Sequence, residues 1–378
     1  MNIIAKAIVR RGFGVVGAMS SSCLAAPDDC STSQTILPSL LLIGTRKGGT
    51  TALSSLLKLH PSIVMPNCSR VDRAQAGGVC WWDKEVRYYS RAVKKFDACW
   101  YRGLYSCPSG ANRYVAFDGS PDYFILDAAA VARMSADLGG RARVRLIAML
   151  RNPSDRFYSA YNMGMSEHLQ KQMGSNQALA GAADRIDAAT YSRFASEIDR
   201  LIACAPECPH EPKVVRMFFH YGLYAQHLQT YIDAFGRESL LIESSEDFYS
   251  EAWPTVRRVL EFARLPITPS FKRLVRQKSR RSSSAELNRG SLWASKGATY
   301  SGKLQPTERR KLSTFYAPHN KQLYTLLGRD FGWEEVELDE EPSRGGRTLE
   351  DAGLDDDEDE EEETIAELHR RLRLRPEL

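Results

Sequence analysis

A glycine-rich loop at residues 45–51 is the part of this chain best suited to bind an anion. It follows an apolar run and precedes leucines at helical spacing, so the sequence predicts a strand, a turn and a helix in succession. Glycines let the backbone approach a phosphate closely, and the N–H groups at a helix start point towards it. Gly44 and Gly49 keep the spacing of a nucleotide-triphosphate loop, but Thr50 stands where that loop has its lysine, and Lys47 comes earlier. The sequence therefore predicts a phosphate-binding loop that differs from an ATP loop.

A second candidate anion-binding segment begins at Arg151, directly after an apolar run at residues 144–150. Together with the first loop, it resembles the two nucleotide-binding motifs of sulfotransferases that use 3′-phosphoadenosine 5′-phosphosulfate (PAPS). In that family the first loop holds the 5′-phosphosulfate, whereas the arginine and a serine eight residues later hold the 3′-phosphate. Arg151 and Ser159 match this spacing.

The resemblance extends over residues 38–333 to sulfotransferases that act on glycosaminoglycans. The chain is similar to the heparan sulfate N- and 3-O-sulfotransferases and to the chondroitin N-acetylgalactosamine 4-sulfate 6-O-sulfotransferase. The segments that carry the similarity are a Lys-Glu motif, a Ser-Pro-x-Tyr-Phe motif, a late helix and strand, a Ser-Lys-Gly loop and a C-terminal helix, at residues 84–89, 117–124, 221–248, 295–297 and 315–333.

This resemblance implies a role for each matching residue. The catalytic residues would be Lys47, which stabilises charge on the leaving phosphate, and Glu85, which takes a proton from the acceptor. The residues implied to bind PAPS, and its product 3′-phosphoadenosine 5′-phosphate (PAP), are Arg46, Lys47, Gly48, Gly49, Thr50, Thr51, Arg151, Ser159, Lys296 and Gly297. Arg87 and Asp118 would contact the acceptor, and no metal is expected.

Three positions depart from the family pattern on the acceptor side. Arg87 replaces a histidine, Asp118 replaces a glutamate, and Gly119 replaces a lysine. The resemblance implies sulfuryl transfer to a hydroxyl (or, as a second choice, an amine) of a glycan or glycosaminoglycan-like polysaccharide. Because of the three departures, an acceptor other than heparan also stays open. An inactive member that binds sulfated glycans is one alternative. A P-loop kinase is another, although the strand before Arg151 ends without the acidic residue that such a kinase needs.

The order of apolar runs predicts an α/β fold that positions these motifs. Strands are expected near residues 115–118, 144–150 and 240–243, with helical stretches between them. Such alternation favours a P-loop-type parallel sheet with helices on both faces, the fold that the sulfotransferase resemblance also implies. Ligands bind such sheets at the carboxyl ends of the strands, so we expect the two anion-binding segments to converge there.

Charge divides the chain into a basic body and an acidic tail. Residues 334–378 carry 19 acidic and 6 basic side chains, whereas residues 1–333 carry 28 acidic and 45 basic ones. The tail includes an unbroken acidic run at 355–363 and is predicted to be mostly disordered. The basic body suits an anionic donor and a polysaccharide partner. No motif indicates nucleic-acid binding.

Residues 1–30 are predicted to be a targeting segment. Residues 1–27 contain Lys6, Arg10 and Arg11 and no acidic residue, and they end in small residues. These features fit a secretory signal or weak anchor, and they also fit an organelle transit peptide. The expected location is the Golgi lumen or secretory pathway, with membrane association only through this segment. The oligomeric state stays open.

The eight cysteines predict disulfides in an oxidising compartment. The expected pairs are the neighbours in sequence, namely Cys99 with Cys107, Cys204 with Cys208, and Cys68 with Cys80. Zinc binding is disfavoured because no Cys-x-x-Cys pair exists, whereas free buried cysteines stay open. Asn67 begins a glycosylation motif, which also favours the secretory route.

Overall fold

A computed structural model of the chain describes residues 34–70, 80, 84–93, 95–108, 113–173, 188–205, 219–281 and 304–333. Within them, one parallel five-stranded sheet has the strand order β2-β3-β1-β4-β5. The strands are β1 (Leu40–Gly44), β2 (Ile63–Val64), β3 (Val115–Asp118), β4 (Arg145–Leu150) and β5 (Leu240–Ser244). The segments 1–30 and 334–378, predicted as leader and tail, lie outside the described residues.

Helices connect and cover the strands. They are α1 (Thr50–Leu57), α2 (Ala98–Gly103), α3 (Ala128–Leu138), α4 (Gly140–Arg143), α5 (Pro153–Met173), α6 (Ala188–Cys204), α7 (Tyr224–Phe235), α8 (Ser245–Ser250), α9 (Ala252–Phe262), α10 (Pro269–Arg281) and α11 (Pro306–Leu327). Shorter helical turns occur at Cys68–Arg70, Tyr88–Ala92, Pro121–Ile125 and Arg237–Ser239. None of the helices in the described residues is long and apolar enough to cross a membrane.

Alternate residues of the strands face two separate hydrophobic cores. Leu41 and Ile43 of β1 belong to the core that α3 and α7 cover, whereas Leu40 and Leu42 belong to the core under α1 and α9. Both faces of the sheet are therefore buried, as expected for parallel strands that read as continuous apolar runs. The predicted α/β class, a parallel sheet with helices on both faces, is confirmed.

The sheet topology brings the motif segments to one edge. Strand β1 lies at the centre, between β3 and β4, and the parallel strands all end on the same side. The loop at 45–51, the turn at Pro121–Ile125, Arg151 and helix α8 follow the carboxyl ends of β1, β3, β4 and β5, respectively. These four segments border one edge of the sheet, and residues 84–87, between β2 and β3, join them through Arg87 and Asp122.

One of the predicted disulfides, Cys68–Cys80, lies in a hydrophobic core. Cys68 and Cys80 are bonded, and both residues are buried. Cys99, Cys107 and Cys204 are also disulfide-bonded, but the pairs predicted for them stay predictions, and Cys208 lies outside the described residues. The expectation of a disulfide-bonded protein is thus confirmed for the pair Cys68–Cys80.

Removing the Cys68–Cys80 disulfide should destabilise the fold. The bond closes a loop with a sequence separation of 12, and a loop of that size stabilises a protein by about 2–4 kcal/mol. We expect the double variant Cys68→Ser/Cys80→Ser to unfold at a clearly lower urea concentration than the wild type. An unchanged unfolding midpoint, with the loss of the bond verified by mass spectrometry, would contradict this.

Candidate functional site

The loop between β1 and α1 is a cradle that only glycine can form at two positions. A Cβ on Gly48 would lie 2.5 Å from the Met149 carbonyl oxygen, and Gly49 has a φ of +86°. Gly49 is also the N-cap of α1, and no side chain caps this helix start with a hydrogen bond. The first N–H groups of α1 therefore lie at the positive end of the helix dipole, next to this loop. This arrangement fits a phosphate.

Contacts within the described residues join the two predicted anion-binding segments. The Arg151 guanidinium donates to the Lys47 carbonyl oxygen at 3.4 Å, and the Tyr224 hydroxyl donates to the Arg151 carbonyl oxygen at 2.7 Å. From α8, the Ser245 hydroxyl donates to the Gly48 carbonyl oxygen at 2.7 Å. The two segments therefore converge as the strand order predicts. Helix α8, which follows β5, also contacts the loop through Ser245.

Lys47 directs its ammonium group along helix α5. Its Nζ lies 3.9 Å from the sulfur of Met163. Ser159 is four residues earlier on the same helix and hence on the same face as Met163. The Lys47 ammonium therefore lies next to the face of α5 that carries Ser159.

Glu85 is a buried carboxylate held between two cations. Lys84 Nζ lies 2.8 Å from one of its oxygens, and the Arg87 guanidinium donates to the other at 2.7 and 3.2 Å. Burial acts to raise the pKa of Glu85, but the charges of Lys84 and Arg87 and their hydrogen bonds outweigh it and lower this pKa. Glu85 is therefore ionised at neutral pH.

Asp118, the second residue predicted to contact the acceptor, is buried at the end of β3. Its side chain is fully buried, and one oxygen accepts from Tyr101 at 2.6 Å and from Tyr123 at 2.8 Å. The other oxygen accepts from the Ser120 hydroxyl at 2.5 Å. Burial raises the pKa of Asp118, while these donors act in the opposite direction. Both oxygens of Asp118 are engaged by the protein, so Asp118 anchors the turn after β3, and its contact with the acceptor stays a prediction.

Gly119, the position without the family's lysine, is closely packed. A Cβ there would lie 2.9 Å from the Phe117 ring and 3.1 Å from the Ser54 hydroxyl. A lysine at residue 119 would therefore require these neighbours to move. The close packing around residue 119 thus suits glycine better than the lysine of the family pattern.

Asp122 is a site residue that motif comparison missed. It occupies the variable position of the Ser-Pro-x-Tyr-Phe motif, for which the resemblance implies no role. It lies 3.1 Å from Arg46 Nε and 3.5 Å from Arg87 Nε. No pattern in the sequence links residues 46, 87 and 122, so only the tertiary structure reveals these ion pairs.

Two predicted PAPS-binding residues, Lys296 and Gly297, lie outside the described residues. Among the residues that are described, no group of three or more His, Cys, Asp or Glu side chains could hold a metal ion.

Comparisons with known proteins place the chain in a family. The family model "Sulfotransferase domain" matches residues 37–300. Heparan sulfate glucosamine 3-O-sulfotransferase 6 of Mus musculus is 27% identical over 304 residues, which is 79% of this chain and 74% of that protein. The human bifunctional heparan sulfate N-deacetylase/N-sulfotransferase 2 is 26% identical over 302 residues, 78% of this chain and 30% of that protein.

A solved structure is also similar. The sulfotransferase from Alicyclobacillus acidocaldarius has a TM-score of 0.49 and 20% identity, and the match covers 78% of this chain and 98% of that one. The family model covers well over half of the chain and includes both anion-binding segments and Glu85. The chain belongs to the sulfotransferase domain family.

Proposed function

We propose that this protein transfers a sulfuryl group from PAPS to a hydroxyl of a glycosaminoglycan-like polysaccharide. The observation that carries the proposal is the contact of Arg151 with the backbone of Lys47, because it joins the two motifs of a PAPS site in one cradle. PAPS supplies the sulfuryl group, and PAP is the product that leaves.

The donor side of the site fits a nucleotide with two separate phosphate groups. The cradle of Gly48, Gly49 and Thr50 would hold the 5′-phosphate through backbone N–H groups. Arg151 would pair with the 3′-phosphate, a role for which its planar fork is suited. Lys47 would stabilise the negative charge on the phosphate oxygen when its bond to sulfur breaks.

The acceptor side has its base in Glu85. Glu85 would remove the proton of the acceptor hydroxyl while the acceptor oxygen bonds to sulfur, so that the proton ends on the carboxylate. Lys84 and Arg87 keep this carboxylate ionised and oriented. A positioned base of this kind contributes a factor of about 10²–10⁴ in rate.

A polysaccharide is the acceptor class supported by the relatives, whose names specify heparan sulfate. The test is the transfer of radiolabelled sulfate from PAPS by the full chain to heparan, chondroitin and dermatan polymers and algal galactans. Label on one of these polymers supports the proposal and identifies the acceptor. Binding of PAP without label on any polymer counts against transfer and favours the inactive glycan-binding alternative.

We further propose that the protein works in the secretory pathway. Disulfides such as Cys68–Cys80 persist in oxidising compartments. A fluorescently tagged full chain should therefore colocalise with a Golgi marker. A cytosolic distribution would contradict this proposal.

Changing Arg151 should weaken recognition of the 3′-phosphate selectively. We expect Arg151→Ala to bind PAP about tenfold to a hundredfold more weakly, since a charged hydrogen bond contributes about 1.5–3 kcal/mol. Binding of AMP, which lacks the 3′-phosphate, should change little. Calorimetric titration with both nucleotides measures the difference, and Arg141→Ala, at an exposed arginine of α4, is the control. Equal losses for PAP and AMP would assign Arg151 to another part of the nucleotide.

A further inference from the structure

Asp122 lies between the donor loop and the segment that carries the base. Arg46, from the donor loop, approaches one carboxylate oxygen at 3.1 Å, and Arg87, from the base segment, approaches the other at 3.5 Å. Arg91 is farther away, at 3.9 Å, and its side chain is half exposed. Asp122 itself is only 8% exposed. The two arginines of the site thus share one buried carboxylate.

These ion pairs extend to Glu85 and form a chain of alternating charges. The order is Arg46, Asp122, Arg87, Glu85 and Lys84. Arg87 is the central cation, because its guanidinium donates to Glu85 at 2.7 Å and also contacts Asp122. Little of this series of ion pairs is exposed to water, so the Coulomb energy of each pair exceeds that of a surface ion pair. Moving one member would therefore affect its neighbours.

Two residues in or next to this series of ion pairs have an unfavourable backbone conformation. Lys47, next to Arg46, has a φ of 68°, and Arg87 has a φ of 57°. Residues with side chains rarely adopt these angles and need support from their surroundings. The Ser120 hydroxyl accepts a hydrogen bond from the Arg87 N–H at 2.8 Å, and Asp122 follows Ser120 by two residues. The turn after β3 thus supports Arg87 through both its backbone and its side chain.

We propose that Asp122 is a positioning residue that fixes the donor loop relative to Glu85 through Arg46 and Arg87. This inference rests on the proposed function, because it concerns the distance between the leaving phosphate held near Lys47 and the hydroxyl activated by Glu85. Asp122 touches neither reacting group in this account. The negative charge of Asp122 holds Arg46 of the donor loop close to Arg87 of the base segment. Without this charge the two arginines would repel each other.

The test compares Asp122→Asn with Asp122→Glu. Asparagine keeps the size and removes the charge, whereas glutamate keeps the charge. We expect Asp122→Asn to lower kcat/KM by about 10²-fold, the effect of a small misplacement in an active site. Asp122→Glu should lose less. Amide hydrogen exchange of the donor loop, measured without nucleotide, should be faster in Asp122→Asn than in the wild type.

A matched control separates this role from general stability. Asp199 forms an ion pair with Lys311 at 2.7 Å on the surface, and its side chain is 58% exposed, so Asp199→Asn should change neither readout. If Asp122→Asn only lowers the melting temperature, with unchanged loop exchange and unchanged kcat/KM of the folded fraction, the proposal is overturned. Hydrogen exchange needs no turnover. A wild type without transferase activity would therefore refute the proposed function, whereas equal loop exchange in both proteins would refute the role of Asp122.

Discussion

Lys47→Ala is expected to reduce sulfuryl transfer by at least about 10²–10³-fold, the loss typical of removing one group that stabilises charge in the transition state. Lys47 is a cation of the cradle, and its ammonium lies 3.9 Å from the sulfur of Met163 on α5. The negative charge on the leaving phosphate oxygen would then lack its counter-charge at the moment when the bond to sulfur breaks. The measurement is kcat with saturating PAPS and acceptor.

The same experiment distinguishes catalysis from binding. Backbone N–H groups and Arg151 stay in Lys47→Ala, so the affinity for PAP should fall far less than kcat. Lys58→Ala is a matched control, because Lys58 is the exposed C-cap at the opposite end of α1. Equal losses in PAP affinity and in kcat would mean that Lys47 only binds the nucleotide, and an unaltered kcat would remove Lys47 from the mechanism.

Glu85→Gln is expected to lower kcat by about 10²–10⁴-fold while PAP binding stays near that of the wild type. Glutamine has nearly the same shape, but its single carbonyl oxygen replaces only one of the two oxygens that accept from Lys84 and Arg87, and it cannot take a proton. Because the pKa of Glu85 lies below its usual value of 4.5, the wild-type rate should not fall with acidification until the pH is below that value. The measurement is kcat against pH for both proteins, with PAP affinity determined by titration.

Folding must be verified in this variant, since neutralising Glu85 leaves Lys84 and Arg87 buried without their carboxylate. Glu261→Gln is the matched control, because Glu261 pairs with Arg257 on the surface. A melting temperature close to the wild type and a retained PAP affinity would show an intact site. Full turnover in Glu85→Gln would assign the base to another residue.

The donor side of this site could be predicted from sequence because local rules determine it. The glycine spacing, the apolar run before Gly44 and the start of α1 are all encoded within one segment. Arg151 follows a second apolar run, and parallel strands end at one edge of the sheet. The sequence therefore predicted that Lys47 and Arg151 would meet, although it did not indicate the contact of Ser245 with the loop.

The acceptor side could be predicted only in part because tertiary packing determines it. Asp118 lies within the motif at 117–124, but the tyrosines that bind its carboxylate come from α2 and from the turn after β3. The burial of a charged side chain depends on such distant partners, which no spacing reveals. For the same reason the pairing of Asp122 with Arg46 was not predicted, although each residue lies in a recognised motif.

Transfer of labelled sulfate from PAPS, measured together with PAP release, tests the central claim most directly. The full chain is incubated with labelled PAPS and a glycosaminoglycan acceptor, and both products are quantified in the same reaction. We expect one sulfate to be incorporated per PAP released, with both products lost in Lys47→Ala and Glu85→Gln. Release of PAP without incorporation, or the absence of both products from a folded wild type across the acceptor panel, would contradict it.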